Sequence, residues 1–412
     1  MRFRSWPLAF FAFSLAACPE PTVTPDAFVA DHDAGDSSDT GALATDARPD
    51  EDDAGPLPEP RSDYGTAGPF VVGSVTITIT DRTGMRELPV ELWYPAVESA
   101  RAEAEAGRPI ESFEQGTANE TAIEELVASA PETCVRRQQH SAAAPAAAAS
   151  PALLPVVVFS HCHTCTRYDM AEVAERLASH GIVVAAPDHV DNTLWDERAG
   201  TSVGVTNEFL AVRASDVSSV LDRLLDADAM EMPADLRGRI DASRAAVMGH
   251  SFGAATTSAV VRDDDRFVAA LAVAAPISVL GSVRINTLDV PYAFLLMRED
   301  NSVLEVGNRL IRMDYMRVGG PATIVELDDA GHWSISDLCG LVDGFDAGCG
   351  EGVRGSVMGD VPFTYVDPAI AREAAADVAA GFFATHLLGD PGGATFVTRL
   401  DGTSGAHVMS RP

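Results

Sequence analysis

The stretch Ala245-Ala246-Val247-Met248-Gly249-His250-Ser251-Phe252-Gly253-Ala254-Ala255 decides the fold. An apolar run leads into it, and the helix-forming Ala254-Ala255-Thr256-Thr257-Ser258-Ala259 leads out. It reads as a buried strand, a sharp turn and a helix. The turn has the form G-x-S-x-G, with Gly249 and Gly253 two residues either side of Ser251. A serine at the apex of such a turn sits in a strained backbone conformation with its hydroxyl exposed. Side chains at the flanking glycines would clash with the neighbouring strand and helix. A Gly/Ser loop can match five residues by chance; the strand before and the helix after set this one apart.

Working outward, strands and helices alternate. Buried strands are expected at 154–159, 182–187, 267–274, 291–297 and 322–327. Helices are expected at 169–180, 207–225, 304–316 and 368–388. The 207–225 segment carries an apolar face at Leu210, Val217, Val220, Leu221 and Leu224. Upstream, 70–80 and 88–95 read as a hairpin. This pattern predicts an α/β fold: a mostly parallel central sheet with helices on both faces and an N-terminal antiparallel hairpin. Ligand sites in such sheets lie beyond the carboxyl ends of the strands.

Those loops hold the chemistry. A serine hydroxyl is a weak nucleophile and needs a base, which in turn needs a carboxylate to fix its tautomer. In elbow folds the chain order is Ser, acid, His. Downstream of Ser251 the histidines are His332, His386 and His407. His407 falls in a polar tail and His386 inside the last helix. His332, in Asp329-Ala330-Gly331-His332-Trp333 directly after a strand, is the expected base. The acid is expected after the strand ending at Met297, as Asp300, with Glu299 as runner-up. Asp328 and Asp329 are too near His332 along the chain. Two N–H donors must serve the oxyanion. Phe252 should give one, and the loop Ser160-His161-Cys162-His163-Thr164-Cys165 the other, from His163 or alternatively Cys162.

Several of these segments together resemble a known family. They are Phe70-Val71-Val72-Gly73 with Leu88-Pro89-Val90-Glu91-Leu92-Trp93-Tyr94-Pro95, Phe159-Ser160-His161, Ala185-Ala186-Pro187-Asp188-His189 with Asn192, Arg213-Ala214-Ser215-Asp216-Val217, the elbow, and Gly331-His332. The chain resembles the α/β-hydrolases related to platelet-activating-factor acetylhydrolase and dienelactone hydrolase over roughly 64–388. The resemblance implies a serine esterase with no metal or cofactor, acting on short-acyl or lipid esters. It implies Ser251, Asp300 and His332 as the triad, with the oxyanion site in the loop after Ser160-His161. The family usually shows His-Gly there; this chain has His161-Cys162-His163-Thr164-Cys165. Two other outcomes are a surface binding protein on a catalytically impaired hydrolase scaffold, and acyl transfer to an alcohol.

The chain has 412 residues and a formal net charge of -32, with no lysine. That balance excludes nucleic acid as a partner, because no basic patch exists to meet phosphates. Arg2 and Arg4 precede an apolar run from Trp6 to Ala17 that is too short to span a bilayer. Leu15-Ala16-Ala17-Cys18 resembles a bacterial lipobox, which implies a signal peptide over 1–17, lipidation at Cys18 and an extracytoplasmic, membrane-anchored protein. Residues 18–63 are expected to be an acidic disordered tether: 19–63 holds 13 acids and 2 Arg. It lacks the fixed Gly and closing Glu of an EF-hand loop. The hydrolase domain is expected over 64–390, with 97–152 as a surface insertion and 391–412 as a tail.

Six cysteines are present. Outside the cytoplasm pairing is the default for the five besides Cys18, and the odd count leaves one thiol over. Cys339 and Cys349 flank a Gly-rich loop and are expected to bridge; Cys134 is expected to reach Cys162 or Cys165. A thioredoxin-like role for Cys162-x-x-Cys165 would need a different fold around it. Zinc held by His161, Cys162, His163 and Cys165 is disfavoured, because four ligands so tightly spaced fit one tetrahedral ion poorly.

Overall fold

The computed structural model describes residues 63–412 apart from 282 and 358. The signal peptide, the Cys18 lipobox and nearly all of the tether therefore lie outside the described residues. No helix among the described residues is long and apolar enough to cross a membrane.

The sheet strands, in chain order, are β1 (Val71–Thr80), β2 (Glu87–Ala96), β3 (Ala142–Ala143), β4 (Leu154–Ser160), β5 (Val183–Pro187), β6 (Ile240–His250), β7 (Phe267–Val273), β8 (Tyr292–Met297), β9 (Ala322–Leu327) and β10 (Ala406–Arg411). They form one sheet in the order β10-β9-β8-β7-β6-β4-β5-β2-β1-β3. Strands β5, β4, β6, β7, β8 and β9 are mutually parallel, and β2 joins β5 antiparallel. This is the mostly parallel sheet with an antiparallel hairpin expected from the alternation of elements.

The parallel strands read as continuous apolar runs because both faces are covered. Alternate residues serve opposite layers. Val157, Ala246 and Met248 enter one core, with α1 (Ala171–Ser179) and α5 (Pro368–Leu387). Val156, Val158, Ala245 and Val247 enter the other, with α2 (Asn207–Leu225), α3 (Phe252–Asp263) and α4 (Leu304–Arg317). Each large buried side chain contributes about 1.5–3 kcal/mol. Helix α2 begins where Thr206 accepts a hydrogen bond from the Phe209 N–H at 3.1 Å. Helix α5 begins with Asp367 as cap and Pro368 in its first turn.

Register places the site. Ser160 at the end of β4 lies beside Gly249 near the end of β6. Met297 and Leu327, the last residues of β8 and β9, are paired. Four loops thus leave one edge of the sheet side by side.

Two expectations about the periphery are corrected. Residues 391–412 are not a tail: Pro391–Arg399 is a helix, and β10 pairs antiparallel with β9 from Ala322↔Arg411 to Leu327↔Ala406. The segment 97–152 is more than a surface insertion. It adds β3 to the sheet edge, parallel to β1, and drives Ile110, Phe113, Ile123 and Val127 into the core beside Trp93 and Tyr168. The Phe113 and Tyr168 rings stack at 4.8 Å. Glu114 accepts from the buried Arg167 at 2.9 Å, so the segment is also tied by charge.

Candidate active site

Ser251 occupies the turn between β6 and α3 with φ 55° and ψ -115°, a conformation that costs an L-residue about 1–3 kcal/mol. Its N–H donates to Val273 O at 2.8 Å, tying the turn to β7. The glycines are forced by contact. A Cβ on Gly253 would lie 1.8 Å from Ser160 O, and one on Gly249 would lie 2.1 Å from Gly253 O. Only two missing side chains let β4, β6 and α3 meet here.

The structure brings Asp300 and His332 together. Asp300 Oδ2 lies 2.7 Å from His332 Nδ1, and both residues are buried. Asp300 Oδ1 accepts the N–H groups of Ser302 and Val303 at 2.8 and 2.9 Å, which fixes the carboxylate. With Nδ1–H donated to Asp300, His332 keeps its lone pair on Nε2. No hydrogen bond joins Ser251 Oγ to His332 among the described residues. The link between the two loops runs through His250, the neighbour of Ser251: its Nε2 donates to His332 O at 3.2 Å and its ring lies 5.0 Å from that of His332.

The other acids and histidines go elsewhere. Glu299 accepts from Arg354 at 2.8 Å and from Ser356 Oγ at 2.7 Å. Asp328 pairs with Arg298 and His407, and Asp329 with Arg354. His386 lies on α5 against Phe382.

In the loop after β4, His161 is buried and holds a single tautomer. Its Nδ1–H donates to Cys162 O at 2.7 Å, and its Nε2 accepts from the His189 N–H at 3.0 Å. Burial, aided by the nearby Arg213, pushes its pKa down to about 3, so the ring is neutral. Because C=O and N–H point opposite ways in a trans peptide, pinning Cys162 O inward turns the His163 N–H outward. The His163 ring sits 6.4 Å from that of Phe252. Phe252 opens α3, so its N–H has no acceptor within the helix. The Cys162 and His163 N–H groups meet no backbone carbonyl among the described residues.

The expected disulfides are corrected. The bridges are Cys134–Cys349 and Cys162–Cys165, and Cys339 is a buried free thiol. Cys162 and Cys165 share one turn, with Cys165 N–H on Cys162 O at 3.4 Å and Cα atoms 5.2 Å apart, so they reach each other first. That bond also removes both sulfurs from any ligand set. Cys134 is left for Cys349, because the chain after His332 folds back over residues 131–135: a Cβ on Gly340 would lie 2.8 Å from Cys134 Cβ. Chain adjacency of Cys339 and Cys349 did not decide the pairing.

Two residues of the site carried no sequence signal. Asp169 Oδ2 lies 2.8 Å from His250 Nδ1, and Ser336 Oγ donates to Asp169 Oδ1. Neither belongs to a motif; the fold alone brings them under the loop that carries His332.

The chain is similar to esterases of several kinds. It is 26% identical to the platelet-activating factor acetylhydrolase of Bos taurus over 174 residues, 34% of this chain and 39% of that protein. It is 37% identical to cutinase est1 of Thermobifida alba over 101 residues, 24% of this chain and 28% of that protein. The chain thus spans about two-fifths or less of the length of these relatives. A ferulic acid esterase from Streptomyces cinnamoneus shares its fold, with a TM-score of 0.57 and 23% identity, covering 86% of this chain and 99% of that one. The family described as platelet-activating factor acetylhydrolase, isoform II, matches residues 64–196 and 196–308, more than half of the sequence and inclusive of Ser251 and Asp300. The chain belongs to the platelet-activating factor acetylhydrolase isoform II family of α/β-hydrolases.

Proposed function

We propose that this protein is a serine hydrolase of carboxylic esters that works through an acyl-enzyme on Ser251. The observation that carries the reading is the His332–Asp300 hydrogen bond, formed between the loops that follow β8 and β9 beside the Ser251 turn. In this reading His332 Nε2 takes the Ser251 proton as Oγ attacks the ester carbonyl. The N–H groups of Phe252 and His163 receive the developing oxyanion. Collapse expels the alcohol, protonated by His332, and water activated by the same nitrogen releases the acid. Asp300 holds the ring and stabilises the imidazolium. Short-acyl or lipid esters are the substrate class supported by the relatives, whose names include acetylhydrolase and cutinase.

A panel of p-nitrophenyl esters of increasing acyl length tests this. Purified protein should hydrolyse the acetyl or butyryl ester, and Ser251→Ala should not; no turnover of any ester by folded protein would contradict the reading and favour a binding role.

We further propose that the domain is held outside the cytoplasm by a lipid on Cys18. Two disulfides support an oxidising compartment. Metabolic labelling with a palmitate analogue should mark the wild type and not Cys18→Ala; equal labelling would contradict it.

A further inference from the structure

Behind the candidate oxyanion loop lies a second Ser-His-Asp array. Ser160 Oγ is 2.9 Å from His189 Nε2, and His189 Nδ1 is 2.9 Å from Asp216 Oδ2. All three are buried. Burial rules it out as a second nucleophile, because no ester can reach Ser160. Ser160 Oγ accepts from Arg213 Nη2 at 3.0 Å and gives its proton to His189 Nε2. His189 then donates Nδ1–H to Asp216, which also accepts from Arg86. The array is a fixed relay that ends on Arg213.

Arg213, on α2, is wholly buried. Its guanidinium touches every segment that carries a candidate oxyanion donor. Nη1 donates to Asn192 Oδ1 at 2.6 Å, and Nη2 also donates to His161 O. Nε donates to Thr256 Oγ1 at 3.3 Å, one turn into α3. Its plane lies 4.7 Å from the centre of the Phe252 ring. Asn192 completes the clamp: its side-chain amide donates to His163 Nδ1 at 2.7 Å and its backbone carbonyl accepts the Thr164 N–H at 3.2 Å. Every direct partner of Arg213 is neutral, and it forms no salt bridge among the described residues. The carboxylates that act on it, Asp216 and Asp169, do so through space and not by direct contact.

We propose that Arg213 is a positioning residue for the oxyanion site: it holds the start of α3 and the loop after β4 in one frame and sets a positive charge with no directly bonded anion behind them. The proposal rests on the reading of Ser251 as nucleophile given above. Pinning His161 O turns the Cys162 N–H away from Arg213, Asn192 carries the hold on to the His163 ring, and the charge adds to the field where negative charge develops. Cys162 and His163 stand in that loop and are held by side chains.

The test compares wild type, Arg213→Met and Arg213→Lys, with active sites counted by a fluorophosphonate and turnover measured on p-nitrophenyl acetate. Removing one oxyanion donor costs about 10²–10³-fold in kcat. Arg213→Met should lose a comparable ~10²-fold in kcat per titrated site with KM within about threefold. Affinity for a trifluoromethyl ketone, which forms a tetrahedral oxyanion on serine, should fall in parallel. Arg213→Lys keeps the charge and loses the fork, and should recover part of the loss, about tenfold. A merely structural arginine would lower the number of titratable sites and leave turnover per site intact. If Arg213→Met does not accumulate as folded protein, Arg213→Lys decides. Turnover per site within twofold of wild type in the folded variants would overturn this proposal alone. A wild type that the fluorophosphonate does not label would overturn the esterase reading and this proposal with it.

Discussion

His332 Nδ1 stands 2.7 Å from Asp300 Oδ2, while the adjacent Glu299 turns away to Arg354 and Ser356. Two neighbouring carboxylates therefore have separable jobs. Asp300→Asn should lower kcat by about 10³–10⁴-fold, because an amide supports the wrong tautomer of the base. Glu299→Gln should lower kcat by less than about tenfold and act mainly on thermal stability. Steady-state kinetics on one chromogenic ester separate the two, and equal losses would contradict the assignment.

The turn at Ser251 depends on two missing side chains. A Cβ on Gly253 would lie 1.8 Å from Ser160 O, backbone that cannot move without shifting β4. Gly253→Ala should cost more than about 3 kcal/mol, beyond the usual range for an overpacked core. Urea unfolding measures this. A variant as stable as the wild type would show that β4 and α3 are not in such contact.

The cysteines give a mapping prediction. Burial pushes the Cys339 thiol up to about 12, so it should resist iodoacetamide in native protein and react once unfolded, without reductant. Cys134, Cys162, Cys165 and Cys349 should react only after reduction. Replacing Cys134 and Cys349 together should cost about 2–5 kcal/mol, because the bridge closes a loop across 215 residues. Labelling of Cys349 before reduction would contradict the pairing.

Asp188 predicts a pH dependence of stability. Burial pushes its pKa up to about 6, against the lowering effect of Arg167, whose guanidinium lies 2.8 Å away. Between about pH 4 and 6 the folded protein holds a proton that the unfolded chain has released. Stability from this group therefore falls as pH rises through that window. Asp188→Asn removes the titration, so its unfolding free energy should fall less than that of the wild type between pH 4 and 7. Identical slopes in denaturant titrations would contradict it.

Much of this was legible in the sequence, for reasons visible in particular residues. Helix α2 runs from Asn207 to Leu225 as expected, because Thr206 caps it and its apolar residues recur on one face. Strands β4 to β9 read clearly because both faces are buried, and the elbow because its glycines are sterically forced. Strand β10 was not legible. Ala406–Arg411 is a half-exposed edge strand with little apolar pattern, defined by its partner β9. The disulfides, the Asp169–His250 contact and the clamp on Arg213 join residues far apart in the chain. Residue type and spacing carry no record of such contacts; the topology makes them.

The most direct measurement is peptide mapping of the adduct left by a fluorophosphonate on intact protein. A single phosphonyl group on Ser251, absent from Ser251→Ala and formed far more slowly in His332→Ala, is the predicted result. No adduct, or an adduct on a different residue, would contradict the assignment of Ser251 as the nucleophile.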